Sequence, residues 1–372
     1  RTMPEGIEYY NVSEKKQSIA RTGDIFKGLS NIVSPTEYFK WDKDEIGSDF
    51  RKRMFFEYFC NRSVRSYKEC LKALEKFNIE GYDKITVYSY WFFATAFVGV
   101  LLKKYYTDKG KTVELISRAH GYDVYEERNA LNYLPLRSFL LENCDAVYPC
   151  SDVGTEHIAS RYPKYADKVK TAHLGTVDGG LGKQSENGLH IVSCSLITDI
   201  KRIDKIIDIL EELEKSGDYS IRWTHIGDGN RRAELEKSAK MRLKSTTAEF
   251  LGNIPNNEVY RFYRNTPVDL FISTSKSEGL PVSMMEAASF GIPIISTDVG
   301  GVREIVKNGY NGQLMNEKIS VNEFVDFIKY FYGMDKSERD FYRTNSRKLW
   351  ENFYNAGKAY TDFFSTPIQA RS

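Results

Sequence analysis

Two rhythms of apolar and polar positions alternate along this chain. Short apolar runs with β-branched residues give way to longer stretches in which apolar side chains return every third or fourth position. From about Asp83 the runs Ile85–Tyr88, Val113–Ile116, Asp145–Tyr148 and Val169–His173 read as strands. Helical patterns through Leu102, over Leu136–Glu142 and over Thr155–Arg161 separate them. The rhythm then restarts. His190–Ser193, Arg222–Ile226, Ala248–Leu251 and Asp269–Ser273 are the next strands, with helices over Ile203–Lys215, Arg231–Lys244 and Asn256–Arg264 and another opening near Pro281. Strands alternating with helices predict parallel sheets covered on both faces. The fold class is therefore α/β, with two Rossmann-like, doubly wound domains facing across a cleft, and ligands are expected at the carboxyl ends of the strands.

Between the two series lies GTVDGGLGKQSENG, residues 175–188, with five glycines in fourteen positions, which reads as a flexible linker. The expected organisation is an N-terminal domain over 1–176, a glycine-rich hinge over 177–189 and a C-terminal domain over 190–352. A last helix over 353–372 is expected to return to the first domain. The front of the chain fits less well. It offers one short candidate strand, Ile7–Tyr10, and no glycine-containing loop after it, so the segment is truncated or rebuilt. Residues 50–77 form a long helical pattern, with Phe50, Met54, Tyr58, Tyr67, Leu71, Leu74 and Phe77 on one stripe and lysines and arginines around it. It reads as a core-facing helix with a solvated cationic face. The competing reading is peripheral contact with an anionic membrane.

Composition narrows the classes. The 372 residues carry 53 basic and 51 acidic side chains, a net charge of +2 without the excess that nucleic-acid binding needs. Five cysteines, Cys60, Cys70, Cys144, Cys150 and Cys194, form no C-x-x-C pair, which favours a reducing compartment. No leader is visible, and the longest apolar run, Trp91–Leu102, is too short for a bilayer. The expected location is the cytoplasm, at most peripheral at the inner face of the membrane. No P-loop pattern occurs. The five histidines show no metal-ligand spacing, and Asp42-Lys43-Asp44, formally a D-x-D, reads as a solvated loop. No metal and no other cofactor is expected.

The chemistry concentrates in SEGLPVSMMEAASFGIPIISTDVGG, residues 277–301. A buried strand precedes it, Glu278-Gly279-Leu280 turn, and Pro281 stands at the expected first helical position, where its missing N–H is harmless. Free amides and the positive end of the helix dipole favour an anion, and glycine lets a phosphate approach. Glu278 and Glu286 flank that site and can accept hydrogen bonds from sugar or ribose hydroxyls. A phosphate between two sugars outlines a nucleotide sugar.

The pattern S-E-G-L-P-x-S-x-x-E-A-x-x-x-G-x-P-I-I resembles the motif of family-four glycosyltransferases (glycosyl transferases group 1), retaining enzymes of GT-B architecture. The resemblance covers roughly residues 83–332. It implies that Glu278 holds the donor sugar, Glu286 the ribose, and the Gly279–Pro281 backbone the diphosphate. Ser117–Asp123 resembles the R-x-H-G-x-D element of polysaccharide-assembling members, which implies that His120 faces the donor sugar, with Arg118 and Asp123 weaker candidates for acceptor or phosphate contact. In Ser193–Arg202, Lys201 matches the lysine that grips the diphosphate. The partner arginine position holds Ser195, a departure for which Arg202 is the candidate compensation. Gly227-Asp228-Gly229 fits the tight turn beside the nucleotide, with Gly227 and Gly229 donor-binding, and Asn253 and Ile254 match the loop that holds the base. The implied activity is transfer of a hexosyl group from a nucleotide-diphosphate sugar to a saccharide or lipid-linked acceptor, with retention and without metal, in building capsule or exopolysaccharide. Two alternatives stay open: a nucleotide-sugar epimerase of the same architecture, and a non-catalytic partner subunit.

Overall fold

A computed structural model describes residues 37–318 and 320–365. The expected strand Ile7–Tyr10 and the unusual front segment lie outside the described residues. The chain divides into two compact units, residues 1–150 with 154–171 and residues 151–153 with 172–372.

In the first unit, helix α1 (Phe50–Leu74) begins where the Asp49 carboxylate accepts the N–H groups of Arg51 and Lys52. Its core stripe falls one position off the predicted one. Arg53, Phe56, Glu57, Cys60 and Ser63 are buried, whereas Phe50 is exposed. The shift is possible because Arg53 enters the interior paired to Glu57 at 2.6 Å, so neither charge is left alone. Phe56, Phe59 and Cys60 share a core with Phe92, Ala96, Phe97 and Val100 at and in α2 (Ala94–Asp108), which supports the core-facing reading of α1. Each such side chain contributes roughly 1.5–3 kcal/mol when fully buried.

Three parallel strands, β1 (Lys84–Ser89), β2 (Thr112–Ala119) and β3 (Ala146–Pro149), lie in the order β1-β2-β3, with α3 (Arg137–Asn143) leading into β3 and α4 (Asp152–Arg161) after it. The predicted strand Val169–His173 does not form. Val169 makes only an isolated bridge to Val147, because β3 offers four residues and the chain leaves its edge after one rung.

The second unit holds a six-stranded parallel sheet: β4 (Leu189–Cys194), β5 (Ile221–Ile226), β6 (Thr247–Gly252), β7 (Leu270–Ser273), β8 (Ile294–Thr297) and β9 (Gly312–Met315). The order is β6-β5-β4-β7-β8-β9, doubly wound, with the direction of winding reversing between β4 and β7. Helix α5 (Ile203–Lys215) shows why the elements form. Ile203, Ile206, Ile207, Leu210 and Leu213 recur at helical spacing and all are buried, while Lys205, Glu212 and Lys215 face outward. Strand β8 is buried at every residue and β7 at all but its last, because both of their faces are covered. Helices α6 (Arg232–Arg242), α7 (Asn256–Asn265), α8 (Val282–Ser289), α9 (Val321–Gly333), α10 (Lys336–Phe353) and α11 (Ala356–Ser365) complete the unit.

The glycine-rich segment is docked along this unit rather than loose. A Cβ at Gly179 would stand 2.3 Å from the Phe290 ring, and one at Gly175 would stand 2.5 Å from the Ala356 backbone. Asp178 pairs with Arg347 at 2.7 Å, and Ala356 N–H donates to Thr176. Its glycines serve close packing, which composition alone does not distinguish from flexibility. The C-terminal helix α11, expected to return to the first domain, is grouped with the second unit.

Candidate functional site

The loops after β4, β5, β6 and β7, at the carboxyl edge of the second sheet, each carry a residue named from the sequence. The reversal between β4 and β7 opens a crevice there, because the helices after the two strands lie on opposite faces. The loops bounding it are laced together. Lys276 N–H donates to Ile200 O at 2.8 Å, and Thr274 Oγ1 donates to Arg202 O at 2.8 Å. Lys201, from the β4 loop, reaches Glu278, from the β7 loop, with Nζ 2.5 Å from Oε1.

Arg202 is turned elsewhere. Its Nε donates to Thr274 O at 2.6 Å, Nη2 to Ser275 O at 3.0 Å and Nη1 to Glu317 O at 3.1 Å. Its backbone is left-handed, with φ 50° and ψ 47°, a conformation a non-glycine residue keeps only when its surroundings enforce it. The guanidinium locks loops at the crevice instead of presenting charge to it. Arg202 is thus no replacement for the cation missing at Ser195. The cation that meets Glu278 from the β4 loop is Lys201.

The Gly227-Asp228-Gly229 turn fits closely against the β4 loop. Ser195 N–H donates to Ile226 O and Ile197 N–H to Asp228 O, both at 2.9 Å. A Cβ at Gly227 would stand 1.8 Å from Ser195 O, and one at Gly229 would stand 2.1 Å from Ile197 O. The absent third glycine is irrelevant to this use, since the two present set the loops' approach. The same device recurs beside Glu278. Gly301 N–H donates to Gly279 O at 2.8 Å, and a Cβ at Gly300 would meet Glu278 O at 2.0 Å.

Pro281 caps α8 rather than occupying its first turn, with φ −75° and ψ 108°. Having no N–H, it accepts at its carbonyl from Met284 and Met285, and the helix's leading amides begin at Val282. Glu286, one and a half turns in, is buried, and Asn256 Nδ2 donates to its Oε1 at 2.7 Å. Burial raises the Glu286 carboxyl above its ordinary range, opposed by the Asn256 bond. Cys194, at the end of β4, is pushed up to about 12 by burial and by the nearby Glu286 charge. Asn253 and Ile254 follow β6 at the same edge and lead into α7, whose first residue is that Asn256. Asn256 was not singled out from the sequence. Its signal, an asparagine opening a helix, is too common to stand out.

In the first unit, β2 runs on through Arg118 and Ala119, so the predicted loop begins only at His120. Arg118 pairs in register with Tyr148 and is 1% exposed. Asp123 is fully buried. Its Oδ2 accepts Phe92 N–H and its Oδ1 accepts His120 N–H, each at 2.7 Å. Asp123 therefore positions two loops instead of meeting an acceptor. Beneath it the buried Arg137 donates to Phe92 O and to Asp123 O. The His120 ring lies 4.6 Å from Tyr90 and 4.5 Å from Trp91, centroid to centroid. Burial lowers its pKa, opposed by Asp123 and reinforced by Arg118, which favours the neutral imidazole.

Asp42 also departs from its expectation. It is buried, accepts Tyr133 Oη–H and Leu136 N–H, and fixes the left-handed Leu136 that precedes α3, while Asp44 is exposed. The two carboxylates of the D-x-D do not converge. One group with metal-ligating potential assembles among the described residues, Asp152, His173 and Glu304, with ligand atoms within 4.8 Å of one another. Sequence spacing did not show it. Glu304 already accepts the N–H groups of Asp152 and Val153, both at 3.0 Å, and His173 Nε2 lies 3.2 Å from it. All five cysteines are free thiols, and no described helix is long and apolar enough to cross a membrane.

The architecture is that of an α/β protein with a polar crevice at the switch point of a doubly wound sheet. Residues 182–348 match the family model described as Glycosyl transferases group 1. The O-antigen biosynthesis glycosyltransferase WbnH of Escherichia coli is 30% identical over 164 residues, 44% of this chain and 44% of that protein. The chain spans about half the length of the first curated relatives it matches. Among solved structures, Anabaena HepE in complex with UDP superposes with a TM-score of 0.63 at 14% identity, covering 81% of each chain. The lipopolysaccharide outer core galactosyltransferase WaaB does so with 0.61 at 17% identity, covering 84% of this chain and 81% of that one. At these identities the likeness is one of fold, and the fold is GT-B.

Proposed function

We propose that the second unit binds a nucleotide-diphosphate sugar and that the chain transfers its hexosyl group, with retention, to a hydroxyl of a saccharide or lipid-linked acceptor. The observation that carries this reading is the Lys201–Glu278 pair in the switch-point crevice, inside the stretch that matches the family. The lysine offers charge to a diphosphate, the glutamate accepts from sugar hydroxyls, and the leading amides of α8 add a second anion-binding element. Glu286, held by Asn256, is assigned the ribose hydroxyls. The turns carrying Gly227, Gly229, Asn253 and Ile254 are assigned the nucleoside. Ser195 supplies a hydroxyl but no charge.

In the reaction the bond between the anomeric carbon and the diphosphate oxygen breaks, and the acceptor hydroxyl takes the diphosphate's place. Negative charge grows on the departing nucleoside diphosphate. Lys201 and the α8 amides meet it where it develops, and loss of one such donor typically costs about 100- to 1000-fold in rate. His120, whose neutral form donates at one ring nitrogen and accepts at the other, is assigned a hydroxyl of the transferred sugar. The setting we infer is assembly of cell-surface polysaccharide at the cytoplasmic side of a membrane.

Calorimetry with UDP, GDP, UDP-glucose and GDP-mannose tests the reading. The HepE structure named above contains UDP, which favours uridine. Binding of one nucleotide and its sugar is expected, with no requirement for added divalent cation. Failure of every common nucleotide sugar to bind folded protein would sink the transferase. Conversion of a donor to its isomer with no acceptor present would establish the epimerase instead.

A further inference from the structure

A histidine stands between two carboxylates in a group that includes none of the residues assigned to the donor. Asp152 opens α4, His173 lies in the segment leading into the glycine-rich stretch, and Glu304 lies on the single helical turn Val302–Ile305 after β8. All three belong to the second unit. His173 Nε2 is 3.2 Å from Glu304 Oε2 and 3.6 Å from Asp152 Oδ2. The Glu304 and His173 side chains are 9% and 22% exposed and that of Asp152 is 67% exposed, so the group is closed at its base and open at one side. Tyr354 is buried beside it, edge-on to the His173 ring at 5.6 Å. Burial, with the Glu304 and Asp152 charges behind it, raises the Tyr354 phenol.

Hydrogen bonding alone leaves this group incomplete. Nε2 carries at most one hydrogen, which can serve Glu304 or Asp152 but not both. Among the described residues, neither carboxylate has a lysine or arginine within ion-pair reach. Two negative charges therefore converge with at most one histidine to offset them, and closely set like charges repel unless a cation intervenes. The spacings suit such a cation. Ligand atoms about 2.1 Å from a tetrahedral zinc stand about 3.4 Å from one another, and the observed 3.2 Å and 3.6 Å bracket that edge. The three ligand atoms lie within 4.8 Å of one another, and the exposed Asp152 side chain is free to close the longest edge by rotation. Glu304 is also oriented as ligating carboxylates are, since its Oε2 and Oε1 accept the N–H groups of Asp152 and Val153. A carboxylate has about four acceptor positions, so both oxygens can still bind further.

We propose that Asp152, His173 and Glu304 bind a divalent ion of the zinc class, through Nε2 and an oxygen of each carboxylate, with water in the fourth position. Imidazole beside carboxylates suits zinc, whereas magnesium demands a near-octahedral shell of oxygens. Two carboxylates and a neutral imidazole match the charge of the ion. Its role is structural. Glu304 follows closely on Gly300 and Gly301, and these back the Glu278 turn: Gly301 N–H donates to Gly279 O, and Gly300 packs against Glu278 O. The ion ties Asp152 and His173 to the element behind that turn and takes no part in breaking the sugar–phosphate bond. The site does not rest on the transferase reading.

The test uses the full chain, stripped with EDTA, exchanged into chelator-free buffer and titrated with zinc chloride alone. Calorimetry should show one equivalent bound, and excess zinc should raise the melting midpoint by several degrees, as a ligand of the folded state does. Magnesium chloride should do neither. Asp152→Asn, at an exposed side chain, and His173→Gln should each weaken zinc binding by at least the roughly 10- to 100-fold that loss of an outer-shell partner costs, and should lose the thermal gain. Cys70→Ser and Cys194→Ser, at the two thiols that are not fully buried, should bind zinc as wild type does. No zinc binding by the wild type would overturn the proposal and leave His173 as a hydrogen-bond partner of the carboxylates. Undiminished binding in folded Asp152→Asn and His173→Gln, or loss of binding in either cysteine variant, would place the ion elsewhere and overturn it too. UDP should bind alike with and without zinc, and a requirement for the ion would overturn its structural role. Failure to bind UDP under both conditions would instead count against the transferase reading and leave the metal site standing.

Discussion

Lys201 Nζ lies 2.5 Å from Glu278 Oε1 and joins the loop after β4 to the loop after β7 across the switch point of the second sheet. Both side chains are largely enclosed, at 25% and 10% exposed, so the pair is screened less than a surface one. A diphosphate entering the crevice competes with the carboxylate for the ammonium. A sugar hydroxyl can then take up the glutamate that the lysine releases. Under the proposed function, the two residues are each other's placeholders for the two halves of the ligand.

That reciprocity gives opposite signs to two substitutions. Lys201→Ala removes a charge-assisted bond of roughly 1.5–3 kcal/mol, so UDP should bind about 10- to 150-fold more weakly. Turnover should fall on the order of 100-fold or more. Glu278→Gln keeps the residue's size and removes the competing charge. UDP should bind Glu278→Gln at least as tightly as wild type, while UDP-sugar loses affinity relative to UDP. Calorimetry of both ligands on both variants reads this directly. Unaltered UDP binding in folded Lys201→Ala protein would remove the lysine from the diphosphate site.

Arg202 should behave as a lock on the loops and not as a phosphate ligand. Its three bonds run to Thr274, Ser275 and Glu317 carbonyls, and a lysine cannot reproduce that fork. Arg202→Lys should therefore destabilise the protein nearly as much as Arg202→Ala, by about 1–3 kcal/mol, and both should weaken UDP binding. If the guanidinium instead supplied charge to the diphosphate, Arg202→Lys would restore binding while Arg202→Ala would not. Thermal melts and UDP titrations on the pair decide between the two.

Gly227→Ala tests whether the turn after β5 serves close packing. The added Cβ would collide with Ser195 O at 1.8 Å, with φ at 142°. We expect a drop in stability of about 1–3 kcal/mol with loss of UDP affinity, because the β4 loop carrying Lys201 must move. Gly110→Ala is the control, since its φ is also positive, at 82°, but nothing lies within 4 Å. It should cost about 1 kcal/mol or so from backbone strain and leave UDP binding intact. Equal effects on UDP binding from the two variants would refute the packing role.

Much of the fold was legible because parallel strands and their helices leave strong periodic signals. The helix Ile203–Lys215 was read to the residue, and β7 was read as the run Asp269–Ser273. Reading failed where partners distant in sequence decide the outcome. The stripe of α1 shifted by one because Arg53 found Glu57 and could be buried. Asp42 looked solvated because Tyr133 and Leu136, which it bonds, lie some ninety residues away. Arg202 looked like spare charge, and only the fold shows three carbonyls converging on it. The crevice itself was visible in sequence as Glu278, Glu286 and Lys201. Its support was not, because Asn256 and the backbone approach of Ser195 to Gly227 have no pattern of their own.

The interior of the second unit carries a pH dependence that one histidine should dominate. Trp223 Nε1–H donates to Ser193 Oγ at 3.0 Å, which leaves the serine's own hydrogen for His225 Nδ1 at 2.8 Å. Where the serine hydroxyl donates, Nδ1 is the acceptor, and protonating it would force that hydroxyl to turn. Burial accordingly depresses the His225 pKa to about 4. In the unfolded chain it titrates near ~6.5, so between these values the unfolded state holds a proton that the folded state lacks. Stability must then fall as pH drops from about 6.5 to about 4 and stay level with respect to this group below that, for a loss of at most about 3 kcal/mol. His190, whose pKa burial also lowers, acts with the same sign. His225→Gln should lower stability at neutral pH and flatten the acid slope by up to one proton, about 1.4 kcal/mol per pH unit. Thermal melts of wild type and His225→Gln across that window measure the slope, and parallel curves would show that His225 titrates alike in the folded and unfolded states.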